Sequence, residues 1–273
     1  MKKILFVFII MTLCVSLTPK VFQPLSAIAA VNVEDHAKLL AAETEKEAAM
    51  SADEFTLLCS EGTPRQIEAA IEAGMDVNAK GNDNMTPLIS AAGKNAPEVI
   101  NILIKAGADV NAEYNTGLTA LMHAAWFNNN PEVLSALIKA GADVNAKNDQ
   151  GWTALTLAAW YNTNPGVLKA LIQGKADVNV KTDAGATPLM LAVSNNPRAV
   201  PALVMAGADI NARYSDGKTS LSFAVEGSKG PEIVSFLLKA GALVSEADVE
   251  LAQKNEHLKN TAIIEELKQS LKK

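Results

Sequence analysis

The sequence predicts an all-α protein built as a solenoid of stacked helix–turn–helix units. The phrase Ala-Gly-Ala-Asp-Val-Asn-Ala at Ala140–Ala146 recurs almost unchanged at 106–112 and 206–212, and more loosely at 73–79 and 174–180. Its aspartates are spaced by 33, 34, 34 and 32 residues. A second phrase, Thr followed two residues later by Leu, keeps the same step and begins at Thr86, Thr119, Thr153, Thr187 and Thr219. A fixed period near 33 residues is typical of stacked supersecondary units rather than of a closed globule.

Each unit carries the start and stop signals of two helices joined by a short loop. The threonine of the second phrase is a favourable N-cap, and Pro87 and Pro188 follow it at the first helical position. The second helix opens on another X-Pro pair, as in Asn130-Pro131, and ends at a glycine such as Gly141. The turns between units are expected to project as β-turn or hairpin loops.

The period and the composition set the domain organisation. Residues 31–50 are predicted to form a polar helical lead-in, and residues 246–273 a polar helical cap, because the end units of a stack need a polar outer face. About six units lie between them. The predicted units span 51–81, 82–114, 115–148, 149–182, 183–214 and 215–245.

Two positions depart from the pattern. In Gln173-Gly174-Lys175 the glycine stands one place early, which predicts that Lys175 occupies a left-handed backbone site at a cost of roughly 1 kcal/mol. Pro201 lies about one turn into the second helix of its unit, where it is expected to remove a backbone hydrogen bond. That unit is therefore predicted to be locally weak.

Residues 1–30 have the features of a secretory signal peptide. A basic start at Lys2 and Lys3 precedes an apolar run over 4–17, and Ala27-Ile28-Ala29 matches an A-x-A cleavage site. We expect cleavage near Ala29 and a periplasmic or secreted mature chain. An uncleaved anchor is the alternative.

Charge and cysteine content exclude some functions. Loss of the three leader lysines leaves 21 of the 24 basic residues against 30 acidic ones, a net charge of about −9 that disfavours nucleic acid as a partner. The single remaining cysteine, Cys59, forms no internal disulfide. It lies in an apolar helical pattern and is interpreted as buried filler, with a reactive thiol as the alternative.

Together the repeated phrases resemble ankyrin repeats. The unit Asn115–Asn148 resembles them best, with Thr119-Ala120-Leu121 followed by His123-Ala124-Ala125 and then Gly141-Ala142-Asp143-Val144-Asn145. The resemblance covers roughly 51–273 and implies antiparallel helix pairs with turns projecting at right angles. Asn-Asn-Pro-type loops replace the family's usual Gly-His loop, and His123 stands one place late in the first helix.

The resemblance also implies a binding surface on the concave side, at the turn tips and the exposed end of the first helices. All three tryptophans fall at such positions, and Trp126 and Trp160 are equivalent in adjacent units, which places them about 10 Å apart. An aromatic cluster of this kind is typical of a binding hot spot, although packing over the loops is the alternative. The candidate partner-binding residues are Met85, Tyr114, Leu118, Trp126, Phe127, Trp152, Trp160 and Tyr161.

No catalytic or cofactor-binding pattern accompanies this surface. The histidines of the mature chain, His36, His123 and His257, are far apart, and neither zinc spacing nor a phosphate-binding glycine loop occurs. The aspartate of each turn is interpreted as a local hydrogen-bond acceptor and not as a metal ligand. We therefore expect a monomeric, non-catalytic scaffold, without cofactor or metal, that binds a protein partner. Alternatives are a binder of a small ligand or cell-wall glycan in the same groove, or a secreted effector acting on a host protein.

Overall fold

The computed structural model describes residues 50–94, 96–227 and 231–272. The predicted signal peptide (1–30) and nearly all of the predicted lead-in (31–50) lie outside these residues. In the described part, helix pairs follow one another along the chain, and their first helices pack in one row. The prediction of an all-α solenoid is confirmed.

The helices of the described part come as seven pairs. The pairs are α1 (Ala52–Glu61) with α2 (Pro64–Glu72), α3 (Pro87–Lys94) with α4 (Pro97–Lys105), α5 (Ala120–Phe127) with α6 (Pro131–Lys139), α7 (Ala154–Tyr161) with α8 (Pro165–Gln173), α9 (Pro188–Asn195) with α10 (Val200–Met205), α11 (Ser220–Gly227) with α12 (Glu232–Lys239), and α13 (Glu246–Lys254) with α14 (Ile263–Leu271). Short 3₁₀ helices occupy Asn82–Asn84 and Pro197–Ala199.

One projecting turn forms a short β-hairpin. Strands β1 (Glu113–Tyr114) and β2 (Leu118–Thr119) are antiparallel, and Tyr114 pairs with Leu118. The helices that follow the turns are capped as the sequence predicts. Thr153 Oγ1 accepts a hydrogen bond from Thr156 N at 3.3 Å, and Asn130 Oδ1 accepts one from Glu132 N at 2.9 Å. These contacts satisfy backbone donors that a helix start otherwise leaves free.

The core is a continuous apolar layer between the two rows of helices. The first helices of the five inner pairs each bury a leucine together with two alanines or an alanine and a valine, such as Leu121 with Ala124 and Ala125. The second helices bury Leu, Ile and Val, as at Leu134 and Leu137. Small residues on the first helices let neighbouring units approach closely, so the stack buries apolar surface that no unit covers alone.

Lys175 takes the left-handed conformation predicted for it, with φ 68°, where the equivalent Gly141 has φ 93°. Both residues close the same helix-ending motif. Gly141 N donates to Ile138 O at 3.1 Å, and Lys175 N donates to Ile172 O at 3.0 Å. The motif is therefore kept at the fourth turn with a lysine in the position that glycine occupies most easily.

Pro201 does not interrupt an α-helix, contrary to the prediction. The chain forms the 3₁₀ helix Pro197–Ala199 first, and α10 begins only at Val200, so that Pro201 lies in its first turn. A proline in the first turn removes no intrahelical hydrogen bond. The consequence is a helix of six residues in this unit, where α6 has nine.

The repeated aspartate and asparagine have separate roles in the turns. Asp143 Oδ1 accepts a hydrogen bond from Asn145 N at 2.9 Å, which confirms its role as a local acceptor. The asparagine reaches the next unit. Asn111 Nδ2 donates to Gly141 O at 3.1 Å, and Asn111 Oδ1 accepts from Asp143 N at 2.9 Å. Equivalent bonds made by Asn78, Asn145, Asn179 and Asn211 link successive turns into one ladder.

Candidate functional site

A continuous series of ring contacts runs from the end of the second unit across the third and fourth units. We call it the aromatic strip, and in order of contact it consists of Tyr114, His123, Phe127, Trp126, Tyr161, Trp160 and Trp152. The rings project from the hairpin β1–β2, from the C-terminal ends of α5 and α7, and from the turn before α7. The period of the stack therefore brings together Trp126 and Tyr161, which lie 35 positions apart in the chain.

The rings meet in two geometries. The Trp126 ring stacks on Phe127 with centroids 4.6 Å apart and on Tyr161 with centroids 4.9 Å apart. Trp152 and Trp160 form an edge-to-face pair at 6.3 Å. Both arrangements are favourable for aromatic quadrupoles. Trp126 thus contacts Tyr161 of the next unit and not Trp160, which is the residue equivalent to Trp126 in that unit.

Exposure divides the candidate residues into three groups. Phe127 and Tyr161 are 51% and 47% exposed, which is unusual for large apolar side chains in this chain. Trp126, Trp152, Trp160, Tyr114 and Met85 are half-buried against the core. Leu118 is only 8% exposed, so the structure does not bring it to the surface where the sequence predicts it. Its pairing with Tyr114 in the hairpin places Leu118 in the core instead.

Polar contacts hold the tryptophans of the strip in place. Trp160 Nε1 donates to the Asn195 amide oxygen at 3.0 Å, in the amide orientation that satisfies both groups. Trp152 N donates to Asn148 Oδ1 at 2.8 Å within the preceding turn. The first bond restrains the Trp160 ring itself, whereas the second fixes only the backbone of Trp152.

His123 lies beneath the strip as its most buried polar member. Its Nδ1 atom has no hydrogen-bond partner among the described residues, and the backbone of Gly93 approaches so closely that a Cβ there would lie 2.6 Å from Nδ1. Burial lowers the pKa of His123, a hydrogen bond to the Ile89 backbone raises it, and the nearby Lys94 charge lowers it again. The imidazole is therefore held in the neutral form, in edge contact with Tyr114.

A groove continues from the end of the strip toward the sixth unit. It encloses about 500 Å³. The pair Trp152 and Trp160 forms one wall, and a second edge-to-face pair, Tyr214 and Phe223 at 5.6 Å, lies on the other side. The remaining lining comes mainly from the fifth unit and includes Asp183, Ala184, Ala186, Met190, Leu191 and Ser194, with Asp149, Gln150 and Thr182 from the fourth unit.

Comparison with protein families identifies the architecture. The model of ankyrin repeats matches three times, over residues 55–148, 112–182 and 155–249, and together these matches cover well over half of the chain. The chain belongs to the ankyrin repeat family. Ankyrin repeats are generally protein–protein interaction modules and are typically non-catalytic scaffolds. No curated protein matches the chain closely enough to count as a relative.

The described part of this ankyrin repeat protein has dispersed metal-ligating side chains and a buried cysteine. Within it, no three His, Cys, Asp or Glu side chains are grouped to hold a metal ion. Cys59 is buried, and desolvation raises the pKa of its thiol to about 12, which keeps the reactive thiolate scarce. None of the helices described has the length and apolarity needed to cross a membrane.

Two features of the ankyrin surface were missed from the sequence. The Asn-Asn-Pro loops are cross-linked, because Asn162 Nδ2 donates to Ala125 O at 3.1 Å and to Asn128 O at 3.0 Å in the preceding unit. The recurrence of asparagine at 128, 162 and 196 was the available signal. The groove had no such signal in any single unit, because its lining comes from the fourth, fifth and sixth units together.

Proposed function

We propose that this ankyrin repeat protein is an exported scaffold that binds a protein partner through the aromatic strip. The observation that carries the proposal is the exposure of Phe127 and Tyr161 on either side of the half-buried Trp126. Aromatic side chains that are rigid and partly exposed are enriched at the energetic centres of protein interfaces. The partner covers these rings, while Trp152 and Trp160 extend the contact along the turns.

The exposed rings supply the test. In the full chain, Phe127→Ser combined with Tyr161→Ser removes the two exposed rings and leaves the half-buried tryptophans in place. Partner proteins are captured from the periplasm or culture medium and their affinities are measured. We expect at least a tenfold loss of affinity, about 1.4 kcal/mol, with the thermal midpoint nearly unchanged.

Met205→Ser is the matched control, because Met205 is 88% exposed and lies outside the strip. It should bind as the natural chain does. If the double variant captures the same partners with the same affinity and melts normally, the strip is not the binding surface.

A glycan or small ligand on the same rings is the second candidate. It is favoured by the exposed ring pair and by the groove of about 500 Å³, a volume usual for small-molecule sites. Titration with cell-wall oligosaccharides, followed by tryptophan fluorescence, separates the two functions. Saturable binding that depends on Trp160 favours the glycan, whereas unchanged fluorescence favours a protein partner.

Export is part of the proposal and rests on the leader sequence alone. A signal peptide predicts that the mature chain begins near Ala29 and is found in the periplasm or the medium. Mass spectrometry of the chain from its own cell gives the N-terminus. A chain that retains residues 4–17 would contradict cleavage.

A further inference from the structure

The groove owes its existence to small residues in the fifth unit. Ala186 stands where the fourth unit has Trp152, and Ser194 stands where it has Trp160. With no large side chain at either position, an apolar gap opens over Met190 and Leu191 between the two aromatic pairs. The gap is large enough to take a bulky apolar side chain from outside the molecule.

The edge of the groove is acidic. Asp149 and Asp183 both line it from the tips of successive turns and are exposed. No hydrogen bond or ion pair of either carboxylate is seen within the described residues, although their backbone N–H groups are held by Thr116 O and Gln150 O. Neither Lys147 nor Lys181 pairs with these two carboxylates, because the Nζ of each lysine donates to a backbone carbonyl of the following turn.

The opposite wall does not compensate this charge. Lys218 lies 5.8 Å from the centroid of the Phe223 ring, but its Nζ is 2.7 Å from Glu226 and 3.7 Å from an Asp216 carboxylate oxygen. The positive charge of Lys218 is therefore already matched by two carboxylates. An apolar gap with an uncompensated negative edge is complementary to an apolar side chain that has a cation beside it.

The groove also joins the aromatic strip without a break, because Trp160 belongs to both and its ring lies 6.2 Å from that of Tyr161. An occupant of the groove that continues along the strip must be longer than one small molecule. An extended peptide meets this requirement.

We propose that the groove takes a basic–apolar peptide segment of the protein partner, in which one large apolar side chain fills the gap and a neighbouring Lys or Arg pairs with Asp149 and Asp183. This inference rests on the proposed function and specifies the chemistry of the partner. The apolar anchor gives affinity through burial between the aromatic walls. The cation gives selectivity and faster association, so that binding depends on salt.

The test uses three fluorescein-labelled peptides of equal length and fluorescence polarisation. One alternates Leu or Phe with Lys or Arg, the second replaces the cations by Glu, and the third replaces the apolar residues by Ser. We expect the basic–apolar peptide to bind the full chain at least tenfold more tightly than either of the others. Its affinity should fall when the ionic strength rises from about 50 to about 300 mM.

Two variants test the two halves of the site. Ser194→Trp fills the gap with the side chain that the neighbouring unit already carries at Trp160, and it should weaken the basic–apolar peptide at least tenfold. Ser194→Ala is its control, because it loses the bond from Ser194 Oγ to Met190 O without filling the gap, and should bind normally. Asp149→Asn with Asp183→Asn alters only exposed atoms and should remove the preference for the basic peptide.

The inference is overturned if none of the peptides binds, if the acidic peptide binds as well as the basic one, or if a folded Ser194→Trp chain binds unchanged. Its failure is distinguishable from failure of the proposed function. If the groove variants bind the cellular partner normally while Phe127→Ser/Tyr161→Ser no longer binds it, the strip is the binding surface and the groove inference is wrong. If the groove variants lose the peptide while the strip variant keeps the cellular partner, the proposed function is wrong.

Discussion

Exchanging Gly174 and Lys175 should stabilise the fold. Lys175 holds φ 68°, a conformation that costs a residue with a Cβ about 1–2 kcal/mol, whereas equivalent glycines such as Gly141 and Gly207 have φ 93° and 91°. The double change Gly174→Lys with Lys175→Gly restores the order of the other turns. It leaves the composition unchanged, so the entropy of the unfolded chain is nearly the same and the native strain is isolated.

The gain is reduced by one contact. Gly174 has φ −73° and ψ 4°, which a lysine adopts without strain, but a Cβ there would lie 2.8 Å from Ile138 Cδ1. That atom ends a flexible side chain, and moving it costs about 0.5–1 kcal/mol. A net stabilisation of about 0.5–1 kcal/mol remains, which raises the melting temperature of a domain of this size by about 2–3 °C.

Thermal and urea unfolding followed by far-UV circular dichroism measures the change. Gly174→Ala alone is the control, because it places the same Cβ against Ile138 and leaves Lys175 in the left-handed conformation. If Gly174→Ala is tolerated and the exchanged chain still melts at or below the natural temperature, Lys175 is not strained and the reasoning fails.

Three further predictions concern the interior of the stack. Burial lowers the pKa of His123 below 6.5, so the unfolded chain binds a proton more readily than the folded chain, and the contribution of His123 to the free energy of unfolding is complete above about pH 6.5 and is lost as pH falls. His123→Leu, which copies Leu157, should therefore make the urea midpoint depend less on pH between about pH 7 and 5. An unchanged pH dependence would assign it to other groups. Cys59, with a pKa of about 12, should resist a thiol reagent at about pH 8 until the chain unfolds, and immediate labelling would show that its helix opens. Amide hydrogen exchange should open residues 184–215 before 116–149, because the second α-helix of that unit is shorter, and the reverse order would contradict this.

The sequence predicted the features that repeat, because a period needs only local signals. The Thr and Asn caps, the left-handed Lys175 and the local role of Asp143 all follow from phrases that recur in step. The places where prediction failed depend on neighbours. Leu118 is buried, although the sequence predicts it at the surface, because the pairing of a two-residue hairpin, which no periodicity shows, decides which way its side chain faces.

The aromatic strip could be predicted by position but not by geometry. Trp126 and Trp160 stand at equivalent places in adjacent units, yet the stacking of Tyr161 on Trp126 depends on side-chain rotamers that the sequence does not specify. The groove could not be predicted from the sequence for another reason. It exists because Ala186 and Ser194 are small while Trp152 and Trp160 on one side and Tyr214 and Phe223 on the other are aromatic, and a cavity is a property of all its walls together.

Site-specific photocrosslinking tests the proposed binding surface most directly. A benzophenone side chain is placed at Tyr161, in the aromatic strip, or at Met205, which is more exposed but lies outside the strip. The chain is then irradiated in its own cell. We expect covalent adducts with a protein partner from position 161 and none from position 205. Equal adducts from both positions, or none from 161 while 205 forms them, would contradict the proposal that the strip binds the partner.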